Sequence, residues 1–468
     1  MSTSHRFHLI GIGGAGMSVV AELLKDRGLE VSGSDQKDSP VLDHLRSVGV
    51  KVFVGHDASH VPEDSVVVVS TAVRETNPEL AYARKEGLRV IHRSQALALA
   101  ASGMRFVAVA GAHGKTTTSG MLSMALRQAG ADPSIAVGSV IPELGSGAHL
   151  GSGDIFVAEA DESDGSFLNY TPWIEIVTNV EPDHLDRYGS REAFEQVFVD
   201  FVGCLRDGGT LVCCGEDAGS ARLARYAKGR GIDTVTYGRE GQESPELGAP
   251  CDVVIKDATT DGHVASAQVL WNAETVEINL RVPGLHNIVN AVAAWIAGVR
   301  LGIEGHLMAS SLTAFSGTSR RFEFKGESDG RRLFDDYAHH PTEVAAAITQ
   351  ARSAAGNGEV SVVFQPHLYS RTQSFAARFA DALSHADHVY VCDIYGARED
   401  PVPGVDSTLI TSHLPKARYV PDMHEAARLA AREVSEGGIL LTMGAGSITQ
   451  CDQDVLDEWE HDGAGSAQ

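Results

Sequence analysis

Phe106-Val-Ala-Val-Ala110-Gly111-Ala112-His113-Gly114-Lys115-Thr116-Thr117-Thr118 reads as a short apolar strand, a glycine-bounded turn and the start of a helix. Glycines let backbone amides close on an anion, and the helix start favours negative charge. Lys115 would reach the outer phosphates and Thr116 would offer its hydroxyl to Mg²⁺. The spacing is shorter than the standard G-x-x-x-x-G-K-[ST], with Val at position 109. Lys115 is the only lysine between Lys85 and Lys228, so its charge is not part of a basic background. The stretch predicts a sheet-borne loop that binds ATP or another nucleoside triphosphate.

The same strand, glycine turn and helix occur on either side. Upstream, Gly11-Ile-Gly13-Gly14-Ala15-Gly16 follows the apolar run Phe7–Ile10, and Asp35 closes the next expected strand. Such a turn reports a pyrophosphate, with Asp35 placed to accept from a ribose or a base. It leaves open NAD, a non-redox diphosphate ligand, or a tight turn with no ligand. Downstream, the pattern restarts after Phe315-Ser316-Gly317. At roughly 150 residues per domain, 468 residues argue for about three. The expected divisions are 1–103, 104–314 and 315–468.

Apolar runs at Val66–Ser70, Ile155–Ala158, Ile174–Thr178, Val360–Phe364, Val389–Cys392 and Ile439–Thr442 alternate with segments of helical period. Those segments are Gly16–Arg27, Thr116–Ala129, Arg191–Val202, Ile288–Leu301, Pro341–Ala354 and Met423–Val434. This alternation predicts parallel sheets with helices on both faces. The fold class is therefore α/β in three domains: a Rossmann-like N-terminal domain, a central P-loop mononucleotide-binding domain and a Rossmann-like C-terminal domain. Val264–Val282 departs from the pattern and alternates like an antiparallel pair, with Val264, Gln268 and Leu270 followed by Val276, Ile278 and Leu280.

Composition removes other classes. Hydrophobic residues at 43% and charged residues at 21% exclude wholesale disorder. A net charge of −24, from 62 acidic and 38 basic residues, repels a phosphate backbone, so no nucleic-acid partner is expected. No apolar run approaches the roughly 20 residues of a membrane helix, and the N-terminus lacks a signal-peptide pattern. Six cysteines without a C-x-x-C or a disulfide framework fit reduced thiols in a cytoplasmic protein. Nothing in the sequence distinguishes a monomer from a homodimer.

Acids follow the strand next to the nucleotide loop, in Glu159-Ala-Asp161-Glu162-Ser-Asp164. Glu159, the strand's last residue, is best placed to hold Mg²⁺, whereas Asp164 is expected to face solvent. The next strand runs into Val177-Thr178-Asn179-Val-Glu181-Pro-Asp183-His184-Leu-Asp186-Arg187-Tyr188. His184, at a strand end among carboxylates, is a candidate for metal or substrate.

Two phosphate-binding turns and acids for Mg²⁺ on one chain resemble the ATP-dependent Mur ligases of bacterial cell-wall synthesis. Four further strings make the resemblance specific: Gly284-Leu-His286-Asn287-Ile-Val-Asn290-Ala291, Arg320-Arg321-Phe322-Glu323, Asp335-Asp336-Tyr337-Ala338-His339-His340-Pro341, and Phe364-Gln-Pro-His367-Leu-Tyr-Ser370-Arg371-Thr372. The resemblance runs from about Phe7 to about Ser447. It implies that Gly13, Gly14, Ala15, Gly16, Met17 and Ser18 hold a UDP-sugar diphosphate, with Asp35, Ser70 and Thr71 near the uridine. It implies ATP on Gly111, Ala112, His113, Gly114, Lys115, Thr116 and Thr117, with His286, Asn287 and Asn290 at the adenine. One Mg²⁺ would sit on Thr116 and Glu159, and a second would involve His184. Arg321 and Asp336 would close over phosphates and ribose. His339, His340, His367 and Arg371 would face the amino acid and the acyl centre. Catalysis would fall to Lys115, Glu159, His184, His339 and His340.

The implied reaction joins L-alanine to the lactyl carboxylate of UDP-N-acetylmuramate through an acyl phosphate. Later-acting sister ligases carry a lysine shortly after the D-H-x-D-R-Y string, and Asp183 to Arg206 contains none, as in the alanine-adding branch. Some members place arginine where Leu368 stands here, which would leave more of the amino-acid carboxylate to Arg371. Three rivals remain: a murein-peptide recycling ligase on the same UDP-sugar, a non-catalytic nucleotide sensor, and an NAD-dependent dehydrogenase. Arg320 reads as a solvated neighbour of Arg321.

Overall fold

The computed structural model describes residues 6–182, 185–260, 264–397 and 399–465. It forms two compact units. The first holds the described residues up to Ala258 together with Ser266–Leu280 and His286–Ser316; the second holds the rest, chiefly the chain from Gly317 on. Three sheets carry the fold, two in the first unit and one in the second.

The N-terminal sheet is all parallel, in the order Lys51–Val54, Glu30–Asp35, Arg6–Ile10, Val66–Val69, Val90–His92. Its order reverses between Arg6–Ile10 and Val66–Val69, and ligands bind at such a switch point, outside the carboxyl ends of the strands. The turn Gly11–Gly14 and the pair Ser70-Thr71 leave those two ends. The helix Ala15–Asp26 packs against the strands Ser134–Ile141 and Ser146–His149 of the central sheet.

The central sheet has ten strands. The strand Arg105–Ala110 lies between Ile174–Val177 and Ile155–Glu159, parallel to both. The nucleotide loop, Glu159 and Thr178-Asn179 therefore leave neighbouring strand ends on one edge. The run Val107–Ala110 has no exposure, as a strand covered on both faces requires. At the far edge, Ala265–Trp271 and Glu274–Leu280 form the two strands expected in Val264–Val282. The second strand buries Val276, Ile278 and Leu280 as expected. The first has the opposite phase: Ala265, Ala267 and Val269 are buried, whereas Val264 is exposed. The tight turn at Asn272 and Ala273, both left-handed at φ 50° and 66°, pins this register, and large apolar residues alone misread it.

The C-terminal sheet runs Glu323–Ser328, Arg331–Asp336, Ile439–Met443, Val360–Phe364, His388–Val391, Arg418–Tyr419. All neighbours are parallel except the first hairpin. The segments after Asp336, Phe364 and Met443 thus emerge side by side. The six cysteines are free thiols, five of them buried and Cys204 half-buried.

Candidate active site

The nucleotide loop is held from below by the neighbouring strand end. Thr178 Oγ1 donates to the His113 carbonyl at 2.6 Å, Asn179 Nδ2 donates to the same oxygen at 2.9 Å, and the His113 amide donates to Asn179 Oδ1 at 3.0 Å. Gly111 at φ 131° and Gly114 at φ 82° take the left-handed conformations the turn needs. A Cβ on Gly111 would lie 3.0 Å from the Asn179 amide nitrogen, and one on Gly114 would lie 2.8 Å from Asn290 Oδ1. Asn290, on the helix Leu285–Arg300, therefore closes against the loop, with Asn287 buried in the same helix and His286 exposed.

Lys115 heads the helix Lys115–Gln128, and its ammonium folds back on the loop. Nζ donates to the Gly111 carbonyl at 2.6 Å and to both oxygens of Glu162 at 2.9 Å. Glu162 is buried, and the pair keeps Lys115 charged against the cost of its own burial. Burial pushes the Glu162 carboxyl up to about 7. Thr116 Oγ1 donates to Glu159 Oε1, and Glu159 Oε2 accepts from the Gly138 amide. A hydroxyl and a carboxylate thus stand side by side at the loop, an oxygen-only donor set suited to a hard divalent cation. His184 lies outside the described residues. Thr117 is half-exposed at the helix start.

At the first glycine turn, the Gly11 and Ile12 amides donate to the Ser34 carbonyl, and the Gly13 amide donates to Asp35 Oδ2 at 2.9 Å. Asp35 thereby braces the turn. The Met17 and Ser18 amides both donate to the Gly14 carbonyl, and the Met17 side chain sits in the core. The Ala15 and Gly16 amides head the helix. The Arg93 guanidinium lies over Gly16: a Cβ there would stand 3.0 Å from Arg93 Cζ. Asp164 does not face solvent as expected. Its carboxylate is 3.5 Å from His92 Nε2, and burial lowers the His92 pKa.

In the second unit, Asp336 accepts from the Ala338 amide at 2.7 Å and the Phe322 amide at 2.8 Å, and burial pushes its carboxyl up to about 6. Arg320 is not a solvated neighbour of Arg321. It lies 3.1 Å from Asp335 and donates to the Gly444 carbonyl at 2.6 Å and the Gly446 carbonyl at 3.2 Å, tying the segment after Met443 to the sheet. Arg321 lies over the Tyr337 ring, 5.4 Å from its centroid, and 3.6 Å from Glu343.

The fold gathers His339, His367 and Arg371: the two imidazoles are 5.8 Å apart, and Arg371 Nη1 is 3.4 Å from His367 Nδ1. His339 Nδ1 is 3.0 Å from the Tyr337 carbonyl, and burial takes the ring down to about 3. His340 is buried against Phe375, and its Nδ1 accepts from the Thr342 amide at 3.4 Å as the cap of the helix Pro341–Ala355. Leu368, at φ 71°, is buried at the start of the helix Tyr369–Leu383.

Three family models cover most of the chain: "Mur ligase family, catalytic domain" at residues 6–105, "Mur ligase middle domain" at 109–298, and "Mur ligase, glutamate ligase domain" at 320–446. The chain belongs to the Mur ligase family. It is 49% identical over 454 residues to a UDP-N-acetylmuramate–L-alanine ligase of Renibacterium salmoninarum, covering 97% of this chain and 95% of that protein. It is 51% identical over 459 residues to the ligase of that name from Kineococcus radiotolerans, covering 96% of this chain and 95% of that one. Among solved structures, the UDP-N-acetylmuramate–alanine ligase of Thermotoga maritima matches with a TM-score of 0.78 at 27% identity, covering 98% of this chain and 99% of that one. A murein peptide ligase of Psychrobacter arcticus shares the Mur ligase fold at a TM-score of 0.70 and 24% identity, over 97% of this chain and 98% of that one.

Sequence reasoning on this Mur ligase missed Glu162 as the partner of Lys115, Thr178 and Asn179 as braces of the loop, and Arg93 over Gly16. The first three lie in strings already quoted. Their signal was position, at strand ends next to the loop, although residue type alone did not separate Glu162 from its acidic neighbours. Arg93 carried no such signal.

Proposed function

We propose that this chain is an ATP-dependent ligase that joins the amine of L-alanine to the lactyl carboxylate of UDP-N-acetylmuramate, for peptidoglycan precursor synthesis in the bacterial cytoplasm. The observation that carries the reading is near-full-length identity of 49% and 51% to proteins named for that reaction. Residues 1–103 would hold the UDP-sugar on the Gly13–Ser18 turn with Asp35, Ser70 and Thr71. Residues 104–314 would hold ATP on Gly111–Thr117 with His286, Asn287 and Asn290, and 315–468 would hold the amino acid, with Arg321 and Asp336 serving the nucleotide.

A carboxylate does not condense with an amine in water, because hydroxide leaves poorly. Transfer of the γ-phosphoryl to the carboxylate makes phosphate the leaving group. The approach of a carboxylate to a triphosphate opposes like charges, and Lys115 meets them once it exchanges Glu162 for phosphate oxygens. Thr116 and Glu159 would hold Mg²⁺, and His184 a second ion. Bound there, the metal supplies charge neutralisation to the phosphates. On the amino-acid side, Arg371 beside His367 suits a carboxylate. A ring with a pKa near 3 removes a proton from an ammonium poorly, so His339 fits better as a neutral hydrogen-bonding partner of the amine. His340 would act by capping its helix.

The test is phosphate release from ATP with Mg²⁺ and UDP-N-acetylmuramate, in the presence of L-alanine, glycine, L-serine or murein tripeptide. Release that needs both the UDP-sugar and L-alanine supports the reading. Stimulation by tripeptide alone would move the chain to a recycling ligase. ATP binding without release under any condition would leave a sensor.

A further inference from the structure

Outside the site described above, three metal-ligating side chains of the second unit converge. His424 stands at the start of the helix Met423–Glu433, Cys451 ends the short turn Ile448–Cys451, and Asp454 lies in the first turn of the helix that follows. His424 Nδ1 is 2.6 Å from Asp454 Oδ2 and 3.7 Å from Cys451 Sγ, and the three ligand atoms all lie within 4.8 Å of one another. Around a tetrahedral zinc ion, bond lengths of about 2.0 Å to nitrogen and 2.3 Å to sulfur put those two atoms about 3.5 Å apart. The observed nitrogen–sulfur distance of 3.7 Å is close to that. The nitrogen–oxygen distance would open to about 3.4 Å, a displacement smaller than one bond length.

The surroundings favour a cation. Asp422 and Asp452 add their charge to that of Asp454 near the thiol, opposed by Arg428, while Lys325 lies 3.6 Å from Asp452. Arg428 donates to Asp454 Oδ1 at 2.6 Å, which leaves Oδ2 as the ligand oxygen and orients the carboxylate from its outer side. Burial, and then the three acids, push the Cys451 thiol above its ordinary range. The His424 side chain is 40% exposed, which gives an ion a way in and a place for a water as fourth ligand.

We propose that His424, Cys451 and Asp454 form a binding site for a thiophilic divalent cation of the zinc class, separate from the nucleotide-associated cation. Sulfur and imidazole ligands select zinc, cobalt(II) or cadmium over magnesium, which prefers oxygen alone. On binding, the Cys451 S–H bond breaks, its proton goes to solvent and a sulfur–metal bond forms, with no change of oxidation state. The ion ties the helix Met423–Glu433 to the segment that follows the strand Ile439–Met443.

The experiment uses the full chain, stripped with a chelator and titrated with Co²⁺. The expected result is one equivalent bound with a thiolate-to-cobalt band in the near ultraviolet, release of about one proton at neutral pH, and displacement by Zn²⁺ but not by excess Mg²⁺. Cys451→Ser should abolish the band. His424→Ala, a change at a half-exposed position, should weaken Co²⁺ binding at least tenfold while leaving the melting temperature of the metal-free protein near that of the parent. Cobalt at Thr116 and Glu159 gives no thiolate band, so failure of the ligase reading would not be mistaken for failure of this one. Absence of the band at millimolar Co²⁺, or a band that survives Cys451→Ser or is unmoved by His424→Ala, would overturn the proposal.

Discussion

Glu175 sits in the middle of the central sheet, on the strand Ile174–Val177, with no exposure and with neither carboxylate oxygen hydrogen-bonded among the described residues. Burial holds its carboxyl far above the ordinary range, so the folded protein keeps the proton that the unfolded chain loses above about pH 4.3. With more protons bound in the folded state, stability falls as pH rises, by about 1.4 kcal/mol per unit until the folded pKa is passed. A folded pKa above 7 would remove about 2.6 kcal/mol between pH 5 and pH 7, and a lower one correspondingly less. Glu175→Met has a similar length and nothing to ionise. Its melting temperature should exceed the parent's by more at pH 7 than at pH 5, the gap widening by about 5–10 °C for a domain of 150–250 residues. Thermal melts of parent and variant at both pH values, followed by circular dichroism, measure this. A gap of the same size at both pH values would show that Glu175 is ionised in the folded protein and would refute the reasoning.

Other perturbations read other parts of the structure. Lys115→Ala should lower ATP affinity and substrate-dependent phosphate release by at least a hundredfold, checked by calorimetry and the release assay. Gly114→Ala forces a side chain into a left-handed turn 2.8 Å from Asn290 Oδ1, and should weaken ATP binding at least tenfold by the same calorimetry. Glu79 is fully buried among His8, His56, His60 and Ser34, and its pKa falls to about 2. A depressed carboxyl stabilises above its unfolded pKa. Glu79→Gln should therefore cost about 3 kcal/mol at pH 7, and the difference should vanish as pH falls from about 4 to 2 in denaturant titrations. Arg320→Met leaves Asp335 buried without its guanidinium and should destabilise the second unit by about 3–5 kcal/mol, read by urea unfolding.

Much of the site was legible because its chemistry is local. Gly111 to Thr118 carry their geometry in consecutive residues: two glycines for the left-handed turns, a lysine at the helix start and a threonine beside it. The strand end at Glu159 and the glycine turn at Gly11 follow from the same rule, that apolar runs stop where ligand loops begin. The resemblance named the family by motif order, which needs no coordinates.

Charge pairing and strand phase were decided in space. Which acid meets Lys115 depended on how the strand Ile155–Glu159 lies beside Arg105–Ala110, and the answer was Glu162 rather than Glu159. Arg320 and Arg321 are neighbours in the chain and both lie over the Tyr337 ring, but Arg320 reaches Asp335 and the Gly444 carbonyl whereas Arg321 reaches Glu343. Met17 and Ser18 belong to the glycine turn by sequence, yet in the fold their amides join the helix and donate to the Gly14 carbonyl. The sequence by itself determined the turn chemistry, the strand–helix alternation and the family, because each is set by residues adjacent along the chain. Only the tertiary structure decided the partners of Lys115 and Glu79, because a buried charge takes its properties from groups that folding brings to it from tens of residues away.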